Sequence, residues 1–177
     1  MMIAPLDFNF SSKIRVWERD LEKFPGIDDE LGRSLFTEIH KRAFLGSLLP
    51  EFWLFYADRI ECFDLRPSFA YTPMNKMLLL SAIAGREGIE CAALLCTAKS
   101  DAAGTPSGVC FIEWPDNRWW MGTQLHKKGG GLLSEHPIIT RAVDGAPKPA
   151  HLGGWFSTAR RLQIRLNIQS SDQQTVH

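Results

Sequence analysis

The hydrophobic residues between positions 27 and 45 follow a helical period. Apolar side chains recur there at every fourth position, which places them along one face of a helix; they are Ile27, Leu31, Leu35, Ile39 and Ala43. Acidic residues occupy the first turn of this segment, and Lys41 and Arg42 occupy the last turn. Both ends complement the helix macrodipole, so we predict a helix over residues 28–45.

A second apolar run, residues 74–84, carries the start and stop signals of a helix. Thr72 can cap its first turn, Pro73 suits its first position and Gly85 can end it. Because the run is apolar around most of its circumference, we expect the rest of the protein to cover it on most sides.

Strict alternation of apolar and polar residues predicts the last strand, over residues 162–169. One face of this strand is expected to join the core, and the other to meet solvent or a partner. Further strands are predicted at residues 52–57, 60–65, 90–98, 109–114 and 118–125. The last two of these form a hairpin across Pro115, Asp116 and Asn117, residue types that favour turns.

Together these elements predict one α+β domain over residues 1–177. We expect an antiparallel-dominated sheet of about five or six strands packed by two main helices. The order from residue 60 onward is close to the ferredoxin-like βαββαβ unit, if a short helix forms near residues 137–143, and a variant of that fold is one expected arrangement. Residues 1–26 form an N-terminal extension of undetermined structure, and residues 170–177 are expected to fray.

Composition sets the class of protein. The chain is 45% hydrophobic and 23% charged, as an ordinary globular domain is. Its first residues lack the basic and apolar segments of a signal peptide, and no apolar run is long enough to cross a bilayer. Four cysteines lie in strand-like segments, and we predict free thiols in a reducing compartment; they are Cys62, Cys91, Cys96 and Cys110. We therefore expect a cytoplasmic protein without membrane association.

Charge is divided unevenly along a chain whose formal net charge is zero. Residues 1–116 carry 12 Lys and Arg against 17 Asp and Glu, a net charge of −5, whereas residues 117–177 carry 8 against 3, a net charge of +5. Such asymmetry is typical of a chain of which one part meets a nucleic acid or an acidic protein. A plainer interpretation is a basic surface that balances an acidic one within the same fold.

The basic C-terminal third, residues 117–177, contains a candidate binding site. In the predicted hairpin, Trp120 shares a face with Arg118, so we expect an exposed indole beside a guanidinium group. The residues predicted to contact nucleic acid or another partner are Arg118, Trp120, Lys127, Lys128, Arg160, Arg161 and Arg165. Trp120 would stack on a base, and the cations would contact phosphates. The alternative is a tryptophan in the core and a solvated basic face.

Catalytic and metal-binding motifs do not stand out in the chain. The glycine run after Lys128 lacks the spacing of a phosphate-binding loop, and the sequence contains no CxxC, HExxH or GxSxG signature. The cysteines lie in apolar segments, where a raised thiol pKa makes them poor nucleophiles. The sequence therefore predicts no catalytic residue, no metal ligand and no cofactor.

The sequence favours a non-enzymatic binding or accessory protein. Its basic third would contact RNA, single-stranded DNA or a nucleoprotein assembly. One alternative is a protein–protein interaction module, such as an inhibitor, immunity or scaffold protein, which would offer the last strand as a sheet edge for strand addition. A second alternative is a small enzyme whose site is assembled from scattered residues.

Overall fold

In the computed structural model, an eight-stranded sheet carries helices on both faces. The structure describes residues 6–26, 28–44, 50–99, 106–127, 138–149, 152–162 and 164–175. The strands are β1 (Leu6–Glu18), β2 (Glu51–Phe55), β3 (Arg59–Asp64), β4 (Cys91–Lys99), β5 (Pro106–Glu113), β6 (Trp119–Leu125), β7 (Ile138–Arg141) and β8 (Ile164–Thr175). The helices are α1 (Asp28–Phe44), α2 (Pro73–Ala84) and α3 (Trp155–Arg161). The predicted α+β class is confirmed.

The strand order across the sheet is β7-β6-β5-β4-β2-β3-β1-β8. The first seven of these strands pair antiparallel throughout, and β8 adds in parallel to β1 at the edge. The prediction of five or six strands was therefore too low. Two segments account for the difference: residues 6–18 form one long strand, and residues 138–141 form β7 where a short helix was expected.

One part of the sheet has the connectivity of a split βαβ unit. Strands β3 and β4 are joined by α2 and each pairs antiparallel with β2, so they run parallel to each other with β2 between them. Strands β4 to β7 then follow one another as an antiparallel meander. The complete ferredoxin-like arrangement is not confirmed by this order.

Local sequence signals account for α2. The Thr72 hydroxyl accepts a hydrogen bond from the Asn75 backbone N–H at 3.2 Å, and Pro73 occupies the first helical position. Gly85 ends the helix as predicted. Coverage is less complete than expected, however, because Met74 in the first turn is 61% exposed.

Two hydrophobic clusters lie on opposite faces of the sheet. Side chains of α1 pack on one face, here named the α1 face, and those of α2 and α3 pack on the other, the α2–α3 face. Strand β2 contributes to both clusters, since Phe52 and Leu54 point to the α2–α3 face while Trp53 and Phe55 point to the α1 face. The protein therefore has three layers, with the sheet in the middle.

The C-terminal segment extends the sheet further than the sequence indicated. Strand β8 continues to Thr175, whereas fraying was expected from residue 170. Its parallel register with β1 runs from the Leu6–Ile164 pair to the Val16–Thr175 pair. This pairing provides backbone partners for residues 170–175, which are polar and lack the alternation of residues 162–169. Strand β8 lies at the edge of the sheet, which is where the strand-addition hypothesis requires it.

Candidate ligand-binding cavity

Trp120 is not the exposed stacking residue that the hairpin pattern predicted. It is 1% exposed and packs on the α1 face against Phe36, with ring centroids 5.9 Å apart. Its indole Nε1 donates a hydrogen bond to Asp29 at 3.2 Å. The face that looked mixed in the sequence is covered by α1, so Trp120 belongs to the core.

Two of the predicted arginines meet at the turn between β5 and β6. Arg160 donates a hydrogen bond to the Pro115 carbonyl at 3.0 Å, and Arg118 donates to Asp116 at 2.6 Å. Arg86, which is not one of the predicted residues, lines an open groove together with Arg160. Arg160 and Arg161 also occupy the last turn of α3, where cations complement the helix macrodipole.

The other predicted cations do not join this group. Lys127 follows the far end of β6, nine residues from Arg118, a distance of roughly 30 Å along an extended chain. Arg165 lies on β8, with five strands between β8 and β6 in the sheet order. Lys128 lies outside the described residues. Among the described members of the predicted set, Lys127 and Arg165 therefore lie away from the β5–β6 turn.

A cavity of about 310 Å³ opens on the α2–α3 face. Its walls come from α2, from the Arg66–Ser68 3-10 turn and the residues after it, from β4, and from the segment that leads into α3. The described residues that line it are Pro50, Leu65, Ser68, Phe69, Pro73, Lys76, Met77, Leu79, Leu80, Leu94, Cys96, Leu152 and Trp155. The lining is predominantly apolar, which is typical of small-molecule sites.

Trp155 is held against the cavity by an unusual helix start. Gly153 and Gly154 both have a φ near +74°, a region that favours glycine. This backbone places the amides of Gly154 and Phe156 on the buried carboxylate of Glu113, at 2.5 and 3.3 Å. Trp155, the first residue of α3, then packs edge-on against Phe52, with ring centroids 4.9 Å apart.

The mouth of the cavity is marked by an exposed aromatic ring and a cation. Phe69 lines the cavity yet is 63% exposed. The Lys76 Nζ atom lies 6.0 Å from the centroid of the Phe69 ring. Among the described residues that line the cavity, Lys76 alone carries a charge.

The one thiol in the cavity wall is neutral at pH 7. Burial raises the pKa of Cys96 to about 11, so the nucleophilic thiolate is scarce. The Ser68 hydroxyl donates to the Leu65 carbonyl at 2.7 Å and retains acceptor capacity. The polar groups of the lining can therefore orient a ligand, but neither is an activated nucleophile.

Buried carboxylates elsewhere in the molecule are held by cations. Glu61 accepts hydrogen bonds from Arg86 at 2.7 Å and from Arg59 at 3.1 Å, and burial raises the pKa of the neighbouring Tyr56. Glu51 on the α1 face accepts from Arg15 at 2.5 Å. Each carboxylate thus has the partner that a buried charge requires, which accounts for it structurally.

Comparison with family models, with curated proteins and with solved structures gave no match. In the described part of the chain, no helix is long and apolar enough to span a membrane. No group of three or more His, Cys, Asp or Glu among the described residues is placed to hold a metal ion. The candidate site is therefore supported by the geometry of the described residues alone.

The cavity could not be predicted from the sequence, because its lining is drawn from distant parts of the chain. Pro50 and Trp155, which share the cavity wall, are 105 positions apart. The available local signal was Lys76, the one charged residue in the largely apolar sequence of α2. A cation in the first turns of an apolar helix marks a place where the helix leaves the core.

Proposed function

We propose that this protein binds a small, largely apolar molecule in the cavity beside α2, as a binding protein rather than a catalyst. The observation that carries the proposal is the open apolar cavity of about 310 Å³ on the α2–α3 face. Ligand pockets range from roughly 300 to 1,000 Å³, so this volume suits a ligand at the small end of that range.

The packing of proteins supports this proposal. Interiors are close-packed, and few voids exceed the size of a water molecule. Apolar walls offer water few hydrogen-bond partners, which leaves such a cavity available to apolar molecules. Leu80, Leu94 and Trp155 would contact the ligand, and Phe69 would cover it from the mouth.

Calorimetric titration with 1-octanol and with octanoate tests the proposal. We expect saturable binding of at least one of them to the wild-type protein. Met77→Trp places an indole in the cavity wall and should abolish that binding. Met74→Trp, on the same helix but at a residue that does not line the cavity, is the matched control and should bind as the wild type does.

Two results would contradict this function. One is the absence of saturable binding of both probes to wild-type protein that is folded by circular dichroism. The other is equal binding by wild type and Met77→Trp. Either result would mean that the cavity does not serve as a ligand site.

A second candidate is contact with nucleic acid, favoured by the arginines at the β5–β6 turn. Arg118 and Arg160 both bind this turn, and Arg86 adds a third guanidinium group to the adjoining groove. Guanidinium groups that face solvent near one another suit phosphates. With Trp120 buried, this contact would rest on the phosphate backbone rather than on base stacking.

Fluorescence anisotropy with labelled single-stranded RNA, over a salt series, tests this second candidate. The Arg160→Ala/Arg161→Ala protein should bind more weakly and show a shallower dependence on salt than the wild type. Arg33→Ala removes an exposed arginine on the opposite side of the sheet and serves as control. Absence of binding at low salt, or equal binding by all three proteins, would exclude this candidate.

A further inference from the structure

The positive charge of Lys76 at the cavity mouth indicates the class of ligand that the cavity would bind. Lys76 lines the cavity at about one third of the way along α2, and its ammonium group lies beside the exposed ring of Phe69. No carboxylate among the described residues pairs with Lys76, in contrast to Lys23, which binds Glu38 at 2.9 Å. The Lys76 ammonium group therefore remains able to donate to a ligand.

The helix that carries Lys76 adds positive potential at the same place. The first turn of α2 contains no acidic residue, and Pro73 from that turn lines the cavity. Helix α1 is the reverse, since Asp28, Asp29 and Glu30 fill its first turn. A helix N-terminus carries a partial positive charge. The acidic residues of α1 neutralise this charge, whereas Lys76 adds a positive charge near the N-terminus of α2.

The interior of the cavity is apolar behind this positive mouth. Leu65, Leu79 and Leu94 line it, and the Cys96 thiol is uncharged at neutral pH. A molecule that satisfies both regions has an apolar body and one negative group at its end. A neutral apolar molecule would fill the interior but leave Lys76 without a charged partner.

We infer that the ligand of this cavity is a small anionic amphiphile, such as a medium-chain carboxylate, whose head group binds Lys76 at the mouth. This inference rests on the proposed function of the cavity. It assigns Lys76 a role in specificity, with the apolar walls providing most of the affinity and the cation selecting the head group.

Calorimetric titrations with octanoate, 1-octanol and octylamine at neutral pH and low ionic strength test the inference. The three probes have similar alkyl chains and differ in the charge of the head group. The wild type should bind octanoate about fivefold to tenfold more tightly than 1-octanol, as a partly exposed charge-assisted hydrogen bond allows. Octylamine should bind most weakly of the three.

Variants of Lys76 sharpen the test. Lys76→Gln should lower the affinity for octanoate to that for 1-octanol, and Lys76→Glu should reverse the preference in favour of octylamine. Lys127→Gln, which removes an exposed lysine just after β6 and outside the cavity lining, should leave the order of the three probes unchanged. Thermal unfolding of each variant checks that the fold is retained.

The outcomes separate the two proposals. Equal binding of octanoate and 1-octanol by the wild type, or a preference for octanoate that survives Lys76→Gln, would overturn the assignment of an anionic ligand and leave the cavity as a binding site. Failure of both octanoate and 1-octanol to bind would overturn the proposed function together with this inference.

Discussion

The two faces of the sheet are packed in different ways. On the α1 face, the Trp120 ring packs against Gly32 of α1, and the Phe36 ring packs against Gly122 of β6. On the α2–α3 face, Trp155 packs against Phe52 and Phe111 on one side but borders an open cavity on the other. Both tryptophans are almost completely buried, at 1% and 2% exposure.

The difference comes from the residues that face each tryptophan side chain. Glycines on α1 and β6 let the helix approach the sheet closely, so the rings fill the space between them. On the other face, the 3-10 turn at Arg66–Ser68 and the leucines of α2 line a space that no side chain of the described residues fills. The α1 face is therefore closed because its glycines allow close packing, whereas the α2–α3 face retains an open cavity.

The largest effect is expected from removing an aromatic side chain on the closed face. Trp120→Ala leaves a cavity between α1 and β6 and removes the hydrogen bond to Asp29, so the free energy of unfolding should fall by about 3–5 kcal/mol. Urea denaturation measures this change. Trp155→Ala should cost a similar amount, but only this variant should also change the affinity for 1-octanol.

The two tryptophan variants should differ in their binding of 1-octanol, whatever their effects on stability. A change in probe binding after Trp120→Ala would mean that the α1 face communicates with the cavity. A loss smaller than about 1 kcal/mol would place Trp120 at a position where the protein collapses easily around the missing ring, contrary to the close packing described above.

A smaller effect is expected from overfilling the closed face. The added methyl group of Gly122→Ala would overlap the ring of Phe36, so the free energy of unfolding should fall by about 1–3 kcal/mol. Gly26→Ala is the matched control, because nothing lies within 4 Å of a methyl group added there. Urea denaturation that shows equal stability for the two variants would contradict the packing of this face.

Elements with local signals could be predicted from the sequence. Helix α2 has its own cap in Thr72, and the β5–β6 hairpin has turn residues between two apolar runs. Helix α3 lacks such signals, because its first amides are bound by Glu113, which lies 41 residues from Gly154. A seven-residue helix that depends on a distant carboxylate leaves no periodic pattern.

The same distinction applies to the candidate site. Arg118 and Arg160 both bind the β5–β6 turn, whereas the burial of Trp120 depends on Gly32, 88 residues away. Alternation along β6 predicts which side chains share a face, but it does not show which face a helix will cover. The cavity is likewise formed by packing between distant elements, so its lining could not be predicted from any one segment.

The smallest expected effect concerns the reactivity of the Cys96 thiol on the α2–α3 face. Cys96 lines the cavity and is partly accessible, whereas Cys62, Cys91 and Cys110 are at most 1% exposed. Iodoacetamide should therefore modify Cys96 first in the folded protein. Because the pKa of Cys96 is raised to about 11, its thiolate fraction and hence its rate should increase about tenfold per pH unit between pH 7 and pH 10.

Mass spectrometry of the alkylated protein measures this rate, and Cys96→Ser identifies the modified residue. A saturating concentration of whichever octyl probe binds should slow the reaction, since the bound chain and the thiol share the cavity. A rate that levels off near pH 9, as for an ordinary thiol, would show that Cys96 is not held in an apolar wall. Modification of Cys62 or Cys110 before Cys96 would show instead that the reagent reaches the α1 face more readily than it reaches the cavity. That result would reverse the contrast between the two faces.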